Sequence, residues 1–412
     1  MARLDLRGKL AVLADAAKYD ASCASSGSTK RGSAGETKGI GSITGAGICH
    51  SYTPDGRCIS LLKILLTNHC VYDCLYCVNR VSSNVARARF TPEEVVTITL
   101  DFYKRNYIEG LFLSSGIIRS PNYTMEQLVQ VARLLRETHH YRGYIHLKTI
   151  PDADPCLIEQ AGLYADRLSI NVELPREQSL TKLAPQKQAG SIRKAMGGLR
   201  VRLEEAEDER KRMRHARRFA PAGQSTQMIV GADGESDRDI IRSSVSLYSG
   251  YKLKRVYYSA YSPIPGSSQD LPAKKPPLIR EHRLYQADWL YRFYEFSVDD
   301  VLAATTDGML DLDLDPKLAW ALKHRTLFPI DVNTAPREHL LRVPGLGVKS
   351  VDKILRVRRL AALRFADMAK LSRSMKTLQD FVALPDWHPG KALDRATPAD
   401  FLPAAQKQLS LF

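Results

Sequence analysis

Three closely spaced cysteines, Cys70, Cys74 and Cys77 in the run HCVYDCLYC, are the residues of this chain best suited to chemistry. Their spacing is Cys-x3-Cys-x2-Cys, and Tyr76 stands directly before the last. Three thiolates on one short loop can each hold one iron of a cubane iron–sulfur cluster. The fourth iron then lacks a protein ligand, and an open metal position is where a bound molecule can react. A zinc site or three structural thiols are the alternatives. Zinc takes four ligands, and His69, adjacent to Cys70, is poorly placed to be the fourth.

The elements that must position this loop follow from hydrophobic periodicity. Ser60–Asn68, SLLKILLTN, is an apolar run of strand length leading straight into the cysteines. Phe90–Asn106 has helical periodicity, capped by Thr91 with Pro92 in the first turn, and a short apolar run, Gly110–Ser115, comes after it. The alternation continues with helix Met125–Thr138, strand Tyr144–Thr149, helix Pro155–Tyr164 and strand Arg167–Leu174. Beyond a long charged stretch come strand Ser225–Val230, helix Ser236–Ser249 and strand Arg255–Tyr261. Strands alternating with helices predict an α/β domain of parallel strands joined by right-handed crossovers.

Composition frames this reading. A chain of 412 residues predicts two or more domains, and 44% hydrophobic residues can fill real cores. No apolar run is long enough to cross a bilayer, and charges interrupt the N-terminal MARLDLRGKLAVLADAAKYD, so no membrane association is expected. Seven cysteines, three of them in one loop, fit a reducing cytoplasm better than a disulfide framework. Lys and Arg total 60 against 45 Asp and Glu, a net +15. Such an excess favours a polyanionic partner without choosing among DNA, RNA and lipid headgroups.

The cysteine loop and its setting resemble the signature of the radical S-adenosylmethionine (radical SAM) enzymes. The resemblance implies a partial (β/α)6 barrel from about Ser60 to Pro265, with chemistry at the carboxyl ends of the strands. It implies a [4Fe–4S] cluster on Cys70, Cys74 and Cys77, whose open iron chelates the amino and carboxylate groups of SAM. One electron then cleaves SAM to methionine and a 5′-deoxyadenosyl radical. Ser114, Ser115 and Gly116 occupy the place of the family's Gly-Gly-Glu-like turn for the SAM amino group; the carboxylate is missing, so hydroxyls or backbone carbonyls must serve. Lys148 ends the third strand, where it could meet a carboxylate or a phosphate. Asn171 and Glu173 share a face as i and i+2 of the fourth strand and resemble the ribose-contacting position. MIVGADGES resembles the segment near adenine: Ile229, Gly231 and Glu235 fit, although Gln227 replaces the first glycine. Tyr257, Tyr258 and Tyr261, at the end of the last strand, could relay a hydrogen atom or stack on a base, with core packing the expected role of at least one.

A second motif lies at Asp331–Arg359, DVNTAPREHLLRVPGLGVKSVDKILRVRR. It reads as two short helices about a Pro-Gly-Leu-Gly turn, with Asn333 or Thr334 as first cap and Leu340, Leu341 and Val343 facing Val351, Ile354 and Leu355. It resembles the helix-hairpin-helix of DNA repair and recombination proteins. Gly345 and Gly347 would let backbone N–H groups approach a phosphate, and Lys349 would add charge. Such contacts position a protein on DNA without reading sequence. The plainer alternative is a hairpin used only for packing. Leu203–Arg218 begins acidic and ends basic; it is either a solvated helix with Glu207–Lys211 and Asp208–Arg212 pairs or a path for DNA along Arg214, Arg217 and Arg218.

Both ends of the chain carry further candidates. Cys23, Cys49 and Cys58 bracket a Gly/Ser-rich stretch that reads as a flexible loop; free thiols are the default, and an auxiliary iron–sulfur or zinc site is the alternative. The final Gln408, Leu409, Ser410, Leu411 and Phe412 resemble the Gln-Leu-Ser/Asp-Leu-Phe peptide that docks repair proteins on the sliding clamp. Leu409, Leu411 and Phe412 would fill apolar pockets and Gln408 would supply a directional hydrogen bond; packing on the protein's own surface is the alternative.

The expected division is an N-terminal extension (1–59), a radical SAM partial barrel (60–265), a helical, aromatic connecting region (266–328), a helix-hairpin-helix motif (329–362) and a C-terminal region (363–412). The combination resembles the family of DNA modification/repair radical SAM proteins. That resemblance implies DNA as substrate, a uracil-DNA-glycosylase-like partner protein and a cytoplasmic, nucleoid-associated enzyme. A tRNA-modifying radical SAM enzyme and a non-catalytic DNA-binding iron–sulfur protein are the alternatives.

Overall fold

The computed structural model describes residues 4–17, 47–52, 58–264, 266, 268–372 and 374–402. Cys23 and Gln408–Phe412 lie outside the described residues, as does the side chain of Cys58. The chain divides into two compact units, Met1–Glu235 with Ser246–Pro276, and Ser236–Val245 with Pro277–Phe412.

In the first unit, helix α1 (Leu6–Ala17) and strands β1 (Ile48–Tyr52) and β2 (Cys58–Leu65) precede the cysteine loop. Then come α2 (Pro92–Lys104), β3 (Gly110–Ser114), α3 (Pro121–Arg133), β4 (Tyr144–Lys148), α4 (Pro155–Tyr164), β5 (Arg167–Ser169), α5 (Glu177–Leu183), α6 (Ala189–Arg212), β6 (Gln224–Val230), α7 (Asp237–Tyr251), whose residues up to Val245 count with the second unit, and β7 (Arg255–Ala260). The seven strands lie in chain order in one sheet, β2 to β7 parallel, and the sheet curls into a partial barrel. Leu111, Leu113, Leu147, Leu168 and Val256 are fully buried, as expected of strands covered on both faces.

Local chemistry sets the helix starts. Thr91 accepts from the Glu94 N–H while the Glu94 carboxylate reaches back to the Thr91 N–H, a reciprocal cap with Pro92 at the first helical position. Ser120 accepts from the Tyr123 N–H, so α3 begins at Pro121, earlier than the apolar pattern suggests, and ends in a π-turn at Leu134–Thr138.

Three features depart from the sequence reading. Ile48–Tyr52, inside the stretch expected to be a flexible loop, is a strand paired antiparallel to β2; the Gly/Ser bias around it hides five residues that satisfy the edge of β2. β5 stops at Ser169 instead of reaching Leu174, because the Val172 N–H turns to the Thr226 hydroxyl and Glu173 takes a left-handed φ of 66°. In α6 the expected i,i+4 pairs give way to others: Glu207 pairs with Lys252 at 2.8 Å and Lys211 with Asp208 at 2.8 Å. Arg214, Arg217 and Arg218 follow the end of that helix and are exposed.

The second unit continues with α8 (Leu278–Phe293), α9 (Val298–Ala303), α10 (Pro316–Lys323), α11 (Arg337–Arg342), α12 (Val348–Val357), α13 (Phe365–Leu371) and α14 (Met375–Leu378). Leu340, Leu341 and Val343 meet the core with Val351 and Ile354, and Trp320, Phe296 and Phe381 fill the rest. Residues 277–328 share one compact unit with the hairpin. Asn333 does not cap α11, which starts after Pro336; its amide instead exchanges two hydrogen bonds with the backbone of Leu363, at 2.8 and 3.1 Å. Arg280 and Asp237 form a buried ion pair at 2.7 Å, and Asp237 also accepts from the Leu310 N–H.

Lys317 is buried in this unit and donates to the Leu346 carbonyl at 2.6 Å, holding the hairpin turn against α10. Burial lowers its pKa to about 7, and nearby Asp315 offsets this only in part. The unfolded lysine keeps its proton up to about pH 10.4. Between these values the unfolded chain binds more protons, so this residue adds stability as pH rises from 7 towards 10. The difference in unfolding free energy between the native protein and Lys317→Met should therefore grow from pH 7 to pH 9 in urea titrations. A difference that stays flat would mean that Lys317 remains fully charged in the fold.

Candidate active site

The cysteine loop is closed at its stem before it reaches the cysteines. Phe90 N–H donates to the Leu66 carbonyl at 2.9 Å, and Thr67 bridges to Arg89. Buried Asn68 binds both sides of the returning chain: Nδ2 donates to the Ala86 carbonyl, and Oδ1 accepts from the Ala88 N–H, each at 2.7 Å. The Arg87 guanidinium donates to the carbonyls of Asn68, Asn79, Arg80 and Ser83. One planar fork thus gathers four carbonyls of the loop, a task a lysine ammonium cannot match in geometry. Neither residue was singled out from the sequence, where a lone Asn and a lone Arg carry no motif.

The end of β3 lies directly against the loop. Leu66 N–H donates to the Ser114 carbonyl and Gly116 N–H to the Thr67 carbonyl, each at 2.8 Å; Val71 N–H donates to the Ile117 carbonyl at 2.9 Å. A side chain at Gly116 would place its Cβ 2.5 Å from the His69 carbonyl oxygen and 3.3 Å from the Cys70 Cβ. Ser114 is buried, and the Ser115 hydroxyl donates to the Gly116 carbonyl. The Ser-Ser-Gly turn therefore shapes the loop through its backbone.

Cys70 Sγ accepts from the N–H groups of Tyr72 and Ile117, each at 3.4 Å. Burial raises the Cys74 thiol and pushes the Cys77 thiol up to about 12. Without a cation, burial keeps these two protonated; an iron in place of each proton supplies the positive charge that a buried thiolate requires. Among the described residues no three His, Cys, Asp or Glu side chains converge as ligands of a single ion. A cubane needs no such convergence, because each thiolate binds its own iron. The donor set and its burial fit the cluster.

Beyond the cysteines, Leu75 and Tyr76 pack on an apolar cluster of Leu174, Leu183, Ala232, Tyr261 and Leu271, and the Leu75 N–H donates to the Leu183 carbonyl at 2.8 Å. Asn171 is 8% exposed and its Oδ1 has no hydrogen-bond partner, a buried acceptor left for a ligand. Glu173 does not share a strand face with Asn171, since β5 has already ended; its carboxylate binds Lys187 at 2.5 Å. Lys187, in the connection to α6, lies 6.0 Å from the Tyr76 ring. Burial works to lower its pKa, yet Glu173 and the neighbouring Tyr76 and Cys74 hold it well above the usual lysine value. Sequence reasoning missed Lys187, which sits in a turn without any flanking pattern.

The remaining strand ends are occupied as follows. Lys148 donates to Gln227 Oε1 at 3.3 Å. Gly231 has a left-handed φ of 77°, and its N–H donates to Glu235, which also accepts from the Asp233 N–H; burial and then Asp233 raise the Glu235 carboxyl. The segment is thus a turn wrapped around its own glutamate. Tyr257 and Tyr258 are inside β7, both buried, and not at its end; Tyr257 accepts from Arg167, the first residue of β5, at 3.5 Å. Of the three tyrosines only Tyr261 joins the cluster beneath the cysteine loop. Cys49 is buried with Ile59, Leu61 and Phe112 beside the first half of β2, away from the strand end that feeds the loop.

In the second unit, Gly345 has a φ of +85°, accepts from the Ser372 hydroxyl at 3.0 Å, and would bring a Cβ within 3.3 Å of Ser374. Glycine there serves the turn. Gly347 differs: it caps α12, and an added Cβ would meet only the Tyr294 hydroxyl, at 3.8 Å. Of the seven basic residues from Arg337 to Arg359, four bond within the unit, Arg356 only to the Asp352 carbonyl of its own helix, at 3.3 Å. Arg337 pairs with Glu295 and Asp352, Arg342 with Asp300 at 3.1 Å, and Arg358 donates to the carbonyls of Val332 and Ala335. Lys349, Lys353 and Arg356, spaced i, i+4, i+7, form an exposed basic stripe on α12 opposite buried Val351 and Ile354.

Replacing Cys70, Cys74 and Cys77 together with alanine should abolish bound iron and sulfide after anaerobic reconstitution. Gly116→Val should lower both well below the native level, since its side chain would collide with the backbone of the loop. Iron retained by the triple variant would place the cluster elsewhere.

Residues 64–244 match the Radical SAM superfamily. No curated protein matches the chain. Solved structures with a similar fold include methylornithine synthase, at 14% identity over 54% of this chain and 59% of the other with a TM-score of 0.41. The FeFe-hydrogenase maturase HydG from Carboxydothermus hydrogenoformans matches at 14% identity over 53% of this chain and 48% of its own, TM-score 0.40. The radical SAM methyltransferase TsrM from Kitasatospora setae matches at 14% identity over 49% and 36%, TM-score 0.35. This chain thus covers between about a third and three fifths of those proteins. Residues 64–244 form a Radical SAM superfamily domain, whose cofactors are a [4Fe–4S] cluster and S-adenosylmethionine.

Proposed function

We propose that the chain is a radical SAM enzyme acting on DNA, in modification or repair. Bound at the cysteine loop, the cluster and SAM supply a 5′-deoxyadenosyl radical able to take hydrogen from a nucleotide. Cys70, Cys74 and Cys77 hold the cluster, and Arg87 and Asn68 keep their loop closed. The paired Glu173 and Lys187 match the ammonium and carboxylate of a methionyl group, and the Asn171 acceptor is left for a hydroxyl donor. Tyr261 and its apolar cluster exclude water beneath the loop.

The observation that carries the DNA reading is the α11–turn–α12 hairpin. It combines an unobstructed Gly347 at the start of a ten-residue helix with the stripe of Lys349, Lys353 and Arg356. The net +15 of the chain agrees with a polyanionic substrate. A cytoplasmic, nucleoid-associated setting follows from that substrate, with a sliding clamp held by Gln408–Phe412 and a uracil-DNA-glycosylase-like protein as partners. Among the described residues no helix is long and apolar enough to cross a membrane.

Gly347→Val should weaken DNA binding at least tenfold in anisotropy titrations, and native binding should fall steeply with added salt while varying little between sequences. Native affinity in Gly347→Val would reduce the hairpin to a packing element. Mass spectrometry of nucleosides after anaerobic incubation with SAM, reductant and DNA then tests the reaction; unaltered DNA alongside modified tRNA would replace this substrate with RNA.

A further inference from the structure

α8 turns His282, Gln286, Trp289 and Phe293 to solvent, spaced 4, 3 and 4 residues apart along one face. Trp289 is 50% exposed and Phe293 49%, with ring centroids 6.4 Å apart and edge to face. Two large rings side by side at the surface are not accounted for by the core, which the same helix fills with Leu284, Tyr285, Ala287 and Leu290.

Each ring borders a cavity that reaches the start of α12. Trp289, Tyr294, Lys317 and the turn Gly345–Gly347 line one of about 320 Å³. Phe293, Arg292, Val348 and Lys349 line the other, of about 500 Å³. The carboxylates at these cavities are already matched. Asp315 accepts from the N–H groups of Lys317 and Leu318, and Glu295 pairs with Arg337. Lys349 is exposed and forms no ion pair among the described residues, whereas Lys317 is buried, donates to the Leu346 carbonyl and has Asp315 nearby. The exposed rings therefore share one strip with the unpaired charge of Lys349 and the open start of α12.

We propose that this strip binds unpaired nucleotides of single-stranded DNA, with bases stacked on Trp289 and Phe293 and phosphates at Lys349 and the opening turn of α12. A base inside a duplex is stacked on both faces and can offer neither to a side chain, whereas an unpaired base offers both. The inference rests on the DNA reading of the hairpin and narrows it, from DNA in general to a strand that is open where the protein holds it.

The test uses the full-length protein and a fluorescein-labelled oligonucleotide of about 20 residues, long enough for several OB-fold-sized contacts, as a single strand and as its blunt duplex at one fixed salt concentration. The native protein should prefer the single strand. Trp289→Ala and Phe293→Ala should each weaken single-strand binding about tenfold, the size of one lost stack, and change duplex binding less than about twofold; Trp289→Phe should recover most of the loss. Both positions are half exposed, and matching circular dichroism and melting curves confirm that the variants fold. If Gly347→Val weakens both DNA forms while the two alanine variants bind the single strand like the native protein, the hairpin binds DNA and the stacking strip does not exist. If the native protein binds neither form, the DNA reading fails and this inference with it.

Discussion

The tight approach of Gly116 to the His69 carbonyl, where an added Cβ would stand 2.5 Å from the oxygen, governs the arrangement of the cysteine loop. The cysteine loop has no regular secondary structure of its own, and a chain of that length loses much conformational entropy when held in one shape. It is held by what it touches: the Ser-Ser-Gly turn along one side, the Arg87 guanidinium across its base and the apolar cluster of Tyr261 beneath. β2 and β3 pair in register up to Leu65 and Ser114, so the two strand ends arrive together and the loop and turn can only meet. Parallel pairing is thus the precondition for the site.

The same economy governs charge. The barrel pairs several of its partly buried ionisable groups, as with Glu173 and Lys187 or Arg136 and Asp166. Such pairs contribute little net stability against apolar replacements, but removing one member leaves an uncompensated charge. The hairpin divides its basic residues differently. Arg337, Arg342 and Arg358 stitch helices together, and the residues left outward on α12 include no buried partner to compete with an arriving anion. Counting arginines along the sequence could not separate these two groups; the distinction appears only once the acceptors are in place.

What the sequence made legible was periodic or stereotyped. The cysteine spacing, the strand–helix alternation, the Thr91 cap and the Pro-Gly-Leu-Gly turn all have signatures within a few residues of themselves. What escaped depends on distant parts of the chain. β1 owes its existence to the unsatisfied edge of β2, and its own five residues lie in a glycine- and serine-rich setting. β5 reads five residues longer in the sequence because its apolar alternation continues past Ser169, whereas the Val172 N–H turns to the Thr226 side chain. The tyrosines of β7 stand near the end of an apolar run and so suggest a rim group, yet only Tyr261 lies past the last paired residue. Lys187 and Arg87 acquire their roles from carboxylates and carbonyls that sequence distance hides.

The reversed direction of β1 has a topological consequence. Ile48 pairs with Leu62 and Tyr52 with Cys58, so the strand descends from the rim side of the sheet to its foot, while every other strand ascends. The polypeptide therefore joins β1 at Gly47 beside Lys63, whose N–H donates to the Gly47 carbonyl at 2.6 Å, and leaves it at the opposite edge. Insertions between Tyr52 and Cys58 would be grafted onto the foot of the barrel, remote from the cysteines. A domain inserted just ahead of Gly47 would instead be delivered to the rim that carries the cysteine loop, making that junction the natural point at which to append a reporter.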